Sequence, residues 1–237
     1  MFYYGYDITY VILVLPFVFL SLWASHNVNS TYKKYSAQYS YRGLTAAQAA
    51  QRVLRDNGVN GVSIKNISGS LTDHYDPTSN VIRLSDSVYD STSTAAIGVA
   101  CHEAGHALQY AKGYFPIKIR AAIIPITNFG SKIAMPLILL GILFSFGGHF
   151  SQVLVDAGIA CFGFSLLFQL ITLPVEFDAS HRAMVCIENS GLLTEDEQKG
   201  ARRTLTAAAL TYVAAAAVSF MQLLRLILLF GRRDSDD

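Results

Sequence analysis

The chain has 237 residues, of which 52% are hydrophobic and only 15% charged, with a mean hydropathy of +0.35. A soluble domain carries about 25% charged residues, so an ordinary cytosolic enzyme is excluded, and the 12% aromatic content excludes a chain that stays unfolded in water. The net charge of +1 offers no basic excess for nucleic acid, and three cysteines without paired spacing indicate no disulfide framework.

In chain order, residues 8–24 form a first uncharged apolar run at the short end of a spanning length. No Lys or Arg precedes it, so the basic start of a signal peptide is missing and residues 1–24 read as an uncleaved membrane anchor. In the polar stretch 25–120, Thr45 as N-cap and Gln48 three positions on predict a helix that Asn57 and Gly58 close. Ala46, Ala49, Ala50, Val53 and Leu54 share one face of it. Residues 62–67 alternate apolar and polar, as a half-buried strand does. Residues 76–80 are a turn by composition, and residues 81–84 follow as a second strand, which reads as an edge strand. A further helix starts at Ser93 or Thr94 and ends near Gly113.

That last helix contains His102-Glu103-Ala104-Gly105-His106. Two imidazoles four residues apart lie on one helix face and can chelate one Zn²⁺. Glu103, beside the first ligand, is placed to take a proton from an attacking water and hand it to the leaving amine. Ala104 and Gly105 are small enough for another backbone to come close. His26, His74 and His149 are isolated and read as surface or interface residues. A catalytic zinc needs a third protein ligand and one open position. The continuation through Lys112 holds no third histidine, so that ligand is distant, most simply a carboxylate.

Runs 121–148 and 153–175 each exceed the roughly 20 residues that cross a hydrocarbon core, and residues 121–175 therefore read as a transmembrane hairpin. The second polar stretch, 176–203, follows Pro174, which fits the first turn of a fresh helix. Glu176 then stands at the membrane boundary as the third ligand. Asp178 is its rival, and otherwise Glu176 faces water or pairs with Arg182. Thr194 to Glu197 fit a capping box whose charges read as a solvated face. The helix they open enters a last apolar run, 204–230, within a C-terminal segment 204–237.

The stretch His102-Glu103-Ala104-Gly105-His106-Ala107-Leu108-Gln109, with Leu173-Pro174-Val175-Glu176-Phe177-Asp178-Ala179-Ser180 far downstream, resembles the YugP-type neutral zinc metallopeptidases of bacterial membranes. The resemblance covers nearly the whole chain. It implies a gluzincin-like site in which His102, His106 and Glu176 hold zinc and Glu103 is the catalyst. The HtpX-type and CAAX prenyl-protease membrane enzymes are similar in logic. They place an aspartate four residues after the ligand glutamate, to support a zinc histidine. Here that position is Ser180, a weaker and uncharged partner. In related zincins the strand before the motif helix pairs with extended substrate, which points to residues 81–84.

Topology agrees with this ligand set. Two spans separate the motif helix from Glu176, so both polar stretches return to one side. Lys33, Lys34, Arg42, Lys112, Lys118, Arg120, Arg182, Lys199, Arg202 and Arg203 all lie in those stretches, whereas the N-terminal tail and the hairpin tip have no Lys or Arg. The positive-inside rule makes both stretches cytoplasmic. Arg232 and Arg233, after the last run, disagree. The expected protein is mainly α, a multi-pass membrane protein with about four transmembrane helices and a small α+β zincin-like cytoplasmic part. Its expected activity is zinc-dependent hydrolysis of peptide bonds in membrane or membrane-proximal proteins, at the cytoplasmic side of the cell membrane, with one catalytic zinc. For the oxyanion, Tyr75, His74, His181 and Arg182 are the candidate donors. A catalytically silent zinc-binding scaffold or quality-control adaptor is the alternative, and the intact Glu103 argues against it.

Overall fold

The computed structural model describes residues 8–144 and 148–231. A π-helical turn, Tyr10–Val14, leads into α1 (Leu15–Ser36). Then come α2 (Ala46–Asp56), β1 (Ser63–Ile67), β2 (His74–Asp76), β3 (Val81–Ser85) and α3 (Thr94–Ala111). Three long helices complete the chain: α4 (Phe115–Leu143), α5 (His149–Asn189) and α6 (Glu195–Phe230). Among the described residues, four helices are long and apolar enough to cross a membrane. The protein is thus mainly α, with a small α+β part. Arg232 and Arg233 lie outside the described residues.

The chain forms two compact units. The first gathers the described parts of Met1–Trp23, Ile119–Leu173 and Tyr212–Asp237. Only 11–28% of each span is buried within the protein. Phe19, Leu139, Phe164, Leu167 and Ile227 point outward, a surface suited to hydrocarbon rather than water. Between α4 and α5 the close contacts are made by small residues, as in membrane helix pairs. A Cβ on Gly158 would come within 2.8 Å of the Ala134 carbonyl, and one on Gly141 within 2.9 Å of the Ser151 carbonyl. The Ser151 hydroxyl donates to the Gly141 carbonyl at 2.6 Å, so this polar group is satisfied within the pair.

The second unit comprises Ala24–Lys118 and Pro174–Thr211. Its α2 starts at the expected capping box, with Thr45 and Gln48 bonding reciprocally to each other's backbone. The apolar face of α2 is fully buried and packs in one core with Ala96, Ala100, Ala104 and Leu108 of α3. Burying a side chain such as Val53 or Leu54 stabilises by about 1.5–3 kcal/mol, and the alanines let the helix backbones come close.

The sheet order is β1-β3-β2, with β1 parallel and β2 antiparallel to β3. This corrects the reading of residues 81–84 as an edge strand. β3 is central, its backbone groups are used on both sides, and strand addition has to use β1 or β2. The error came from His74-Tyr75-Asp76, a strand too short and polar to show a period of two.

The reading of Pro174 also changes. It does not start a helix but lies inside α5. The missing amide leaves the Leu170 carbonyl without its helical partner, which a long apolar helix tolerates. The boundary between the units falls at this proline. One member of the charged start of α6 is likewise not solvated. Glu197 is 7% exposed, and its carboxylate accepts the Thr194 N–H at 2.8 Å and the Tyr41 N–H at 2.6 Å. Glu195 and Asp196 are exposed, as expected of a solvated face.

Candidate metal centre

The motif helix α3 begins at Ser93, whose hydroxyl accepts the Ala96 N–H, and ends before Gly113, whose φ of +65° suits a residue without Cβ. His102 lies at its middle, and Glu103 and His106 follow in its second half, with Glu103 8% and His106 8% exposed. Glu176, on α5, is 3% exposed. The unit brings the three expected ligands together: one ligand atom from each of His102, His106 and Glu176 lies within 4.8 Å of the others. His102 Nε2 is 3.2 Å and His106 Nε2 3.6 Å from the same Glu176 oxygen.

These separations fit a metal. With zinc–ligand bonds of about 2.0–2.2 Å, the ligand atoms of a tetrahedral ion stand about 3.3–3.6 Å apart. The chemistry fits as well. Two imidazole nitrogens and one carboxylate oxygen are ligand types that zinc takes. Burial pulls the His106 pKa down, but the Glu176 hydrogen bond and the nearby charge of Glu103 outweigh it and raise it above the ordinary value, so the cluster favours positive charge at its centre.

A hydrogen-bonded support orients both histidines. The Gln109 amide nitrogen donates to the Val175 carbonyl and to Asp178 Oδ2, each at 2.8 Å. Two acceptors on that side fix the amide orientation, so Gln109 Oε1 faces His106 Nδ1 at 2.9 Å. Nδ1 therefore carries the proton, and the Nε2 lone pair is directed at the cluster. His102 Nδ1 contacts the Ser180 hydroxyl at 3.1 Å, so Ser180 occupies the supporting place one turn beyond Glu176.

Asp178, the rival ligand, lies outside the cluster. Its carboxylate is held by Gln109 and by Arg182, whose Nε and Nη2 both donate to it. Arg182 also stacks over the Tyr114 ring at 5.5 Å. Its partner is thus Asp178 and not Glu176, and Asp178 supports the site through Gln109. The sequence reading missed Gln109. Its signal was a long polar side chain three residues after His106 on the same face, in a helix of mostly small and apolar residues.

The other singled-out residues have other contacts. Tyr75 donates its hydroxyl to the Asn80 side chain at 2.7 Å and packs on Tyr110. His74 is exposed, with Nδ1 2.8 Å from the Thr72 carbonyl. His26, His149 and His181 are exposed. Glu103 makes no hydrogen bond to another side chain among the described residues, so its carboxylate is free to meet a water.

Gly105 permits the approach of α3 to α5. A Cβ there would come within 2.5 Å of the Ala179 carbonyl oxygen, which is backbone and cannot rotate away. Gly105→Ala is expected to cost about 1–3 kcal/mol by overpacking and to loosen the metal site. A thermal melt and zinc analysis check this, and wild-type values for both would refute the close-contact argument.

A family profile described as "Putative neutral zinc metallopeptidase" matches residues 10–231. A relative from Bacillus subtilis (strain 168), described as "Putative membrane protease YugP", is 44% identical over 221 residues, covering 93% of this chain and 96% of that protein. No solved structure matches the chain.

Proposed function

Because the chain belongs to the neutral zinc metallopeptidase family, we propose that it is a membrane-bound zinc endopeptidase acting on membrane or membrane-proximal proteins from the cytoplasmic side. The convergence of His102, His106 and Glu176 beside the free carboxylate of Glu103 carries this reading. His102 Nε2, His106 Nε2 and a Glu176 oxygen would hold the ion. Zinc there supplies Lewis acidity, which acidifies water and polarises a carbonyl. Glu103 accepts the proton of the attacking water and returns it to the amine nitrogen as the peptide bond breaks, so that one water yields a carboxylate and an amine. Gln109 and Ser180 keep the two imidazoles in the orientation that presents Nε2.

A scaffold without turnover would keep the ligands but has no use for a carboxylate without a side-chain hydrogen bond next to His102. The substrate class follows from chain connectivity. Glu176 comes directly after an apolar run, so a substrate reaching it is near the bilayer. A cleft of about 190 Å³ lined by Phe177, Met184 and Leu205 also includes Ser180, the partner of His102, and suits an apolar substrate side chain.

The purified chain is expected to cleave casein or a membrane-protein fragment, to lose this activity to a zinc chelator, and to regain it on zinc addition. Cleavage that survives complete metal removal would overturn the reading. Sidedness has its own test, on a cysteine-free background in intact cells. An impermeant maleimide is expected to label His149→Cys, an exposed position at the hairpin tip, and not Tyr41→Cys or Glu195→Cys. The opposite pattern would put the site outside the cell.

A further inference from the structure

A second cleft, between the end of α1 and the start of α6, adjoins the first through Arg202, Thr206 and Leu210 but is lined by none of the metal-site residues. We propose that it binds the phosphodiester of an anionic phospholipid. The cleft measures about 370 Å³ and is lined by Lys34 of α1 and by Arg202 and Arg203 of α6. Asn27 and Thr31 face the same space. Helical spacing explains the lining, since Asn27, Thr31 and Lys34 recur at intervals of four and three on one face of α1. The two helices are held together where α6 has no side chain. A Cβ on Gly200 would meet the Tyr35 ring at 2.8 Å and the Gln38 side chain at 2.7 Å.

The charge of the cleft is one-sided. Its lining holds three cations and no carboxylate. Glu188, outside the lining, is 2.7 Å from Arg202 and engages one nitrogen of a guanidinium that has five donors. Arg203 and Lys34 pair with no acid among the described residues. The Asn27 amide and the Thr31 hydroxyl make no hydrogen bond through their side chains there either, which leaves uncharged donors beside the cations. Such a constellation suits a tetrahedral anion with several acceptor oxygens.

The location selects a lipid as the source of that anion. Trp23, the chain's one tryptophan, is 54% exposed and precedes Asn27 by four positions in the same helix. Tryptophan at the end of an apolar run marks the headgroup level. Leu210, also in the lining, belongs to the apolar run of α6 and offers an acyl chain a path. A zwitterionic headgroup would bring its own cation into the cluster, whereas an anionic one is complementary.

The test uses the full-length chain in neutral detergent and native mass spectrometry, with phosphatidylglycerol, phosphatidylcholine and inorganic phosphate as separate ligands. Phosphatidylglycerol is expected to bind, phosphatidylcholine to bind far less, and millimolar phosphate not to displace the lipid. Lys34→Gln alone should weaken phosphatidylglycerol binding about fivefold, and Lys34→Gln with Arg203→Gln about 25-fold. Lys33→Gln makes the same charge change on α1 outside the lining and should leave binding unchanged. Equal binding of both lipids, displacement by inorganic phosphate, or an equal loss in Lys33→Gln would each overturn the proposal. The readout is binding, so it stands or falls independently of peptidase activity.

Discussion

Replacing Glu103 by glutamine is expected to leave the zinc content unchanged and to lower peptidase turnover at least about 100-fold, the usual loss when a general base is removed. The two side chains have the same shape, so the tightly packed second half of α3 is not disturbed. Glu103 is not among the three grouped ligands, so the metal should stay. An amide cannot accept the proton that the attacking water must give up. Metal analysis and single-turnover cleavage by the purified variant decide the matter. Wild-type turnover would remove Glu103 from the mechanism and favour an electrostatic or structural role for it.

Glu176→Ala should lose both zinc and activity, and excess zinc should not restore them. The variant keeps two imidazoles but removes the oxygen that both approach at 3.2 and 3.6 Å. Asp178→Ala, two residues along the same helix, should behave differently. It removes one of the two anchors of the Gln109 amide and leaves the Val175 carbonyl as the other. His106 is then less firmly oriented, and zinc affinity should fall about 10–100-fold, the common cost of losing a supporting partner. Activity in Asp178→Ala should therefore return at high zinc. Equilibrium zinc titration of the two purified variants separates a ligand from a support. Were Asp178→Ala to lose zinc beyond rescue while Glu176→Ala retained it, the assignment on α5 would be wrong by two positions.

Much of this protein is determined by local sequence. Apolar run length alone marks four spans, because a bilayer demands about 20 residues without charge whatever their neighbours are. The metal helix is equally local. Its cap at Ser93, the spacing of His102 and His106, and the glycine beyond its end all act within one helix. Ser180 as the partner of His102 also follows from spacing, since it lies one turn after Glu176. Only the tertiary structure decided the rest. The strand order β1-β3-β2 depends on pairing between distant segments, and β2 has too few residues to announce itself. Pro174 is compatible with the start of a helix and with the interior of one, and the continuity of α5 through it is not a property of its neighbours in sequence. Gln109 and Asp178 acquire their roles only when α3 and α5 come together over Gly105, because a hydrogen bond between residues 69 positions apart has no local signature.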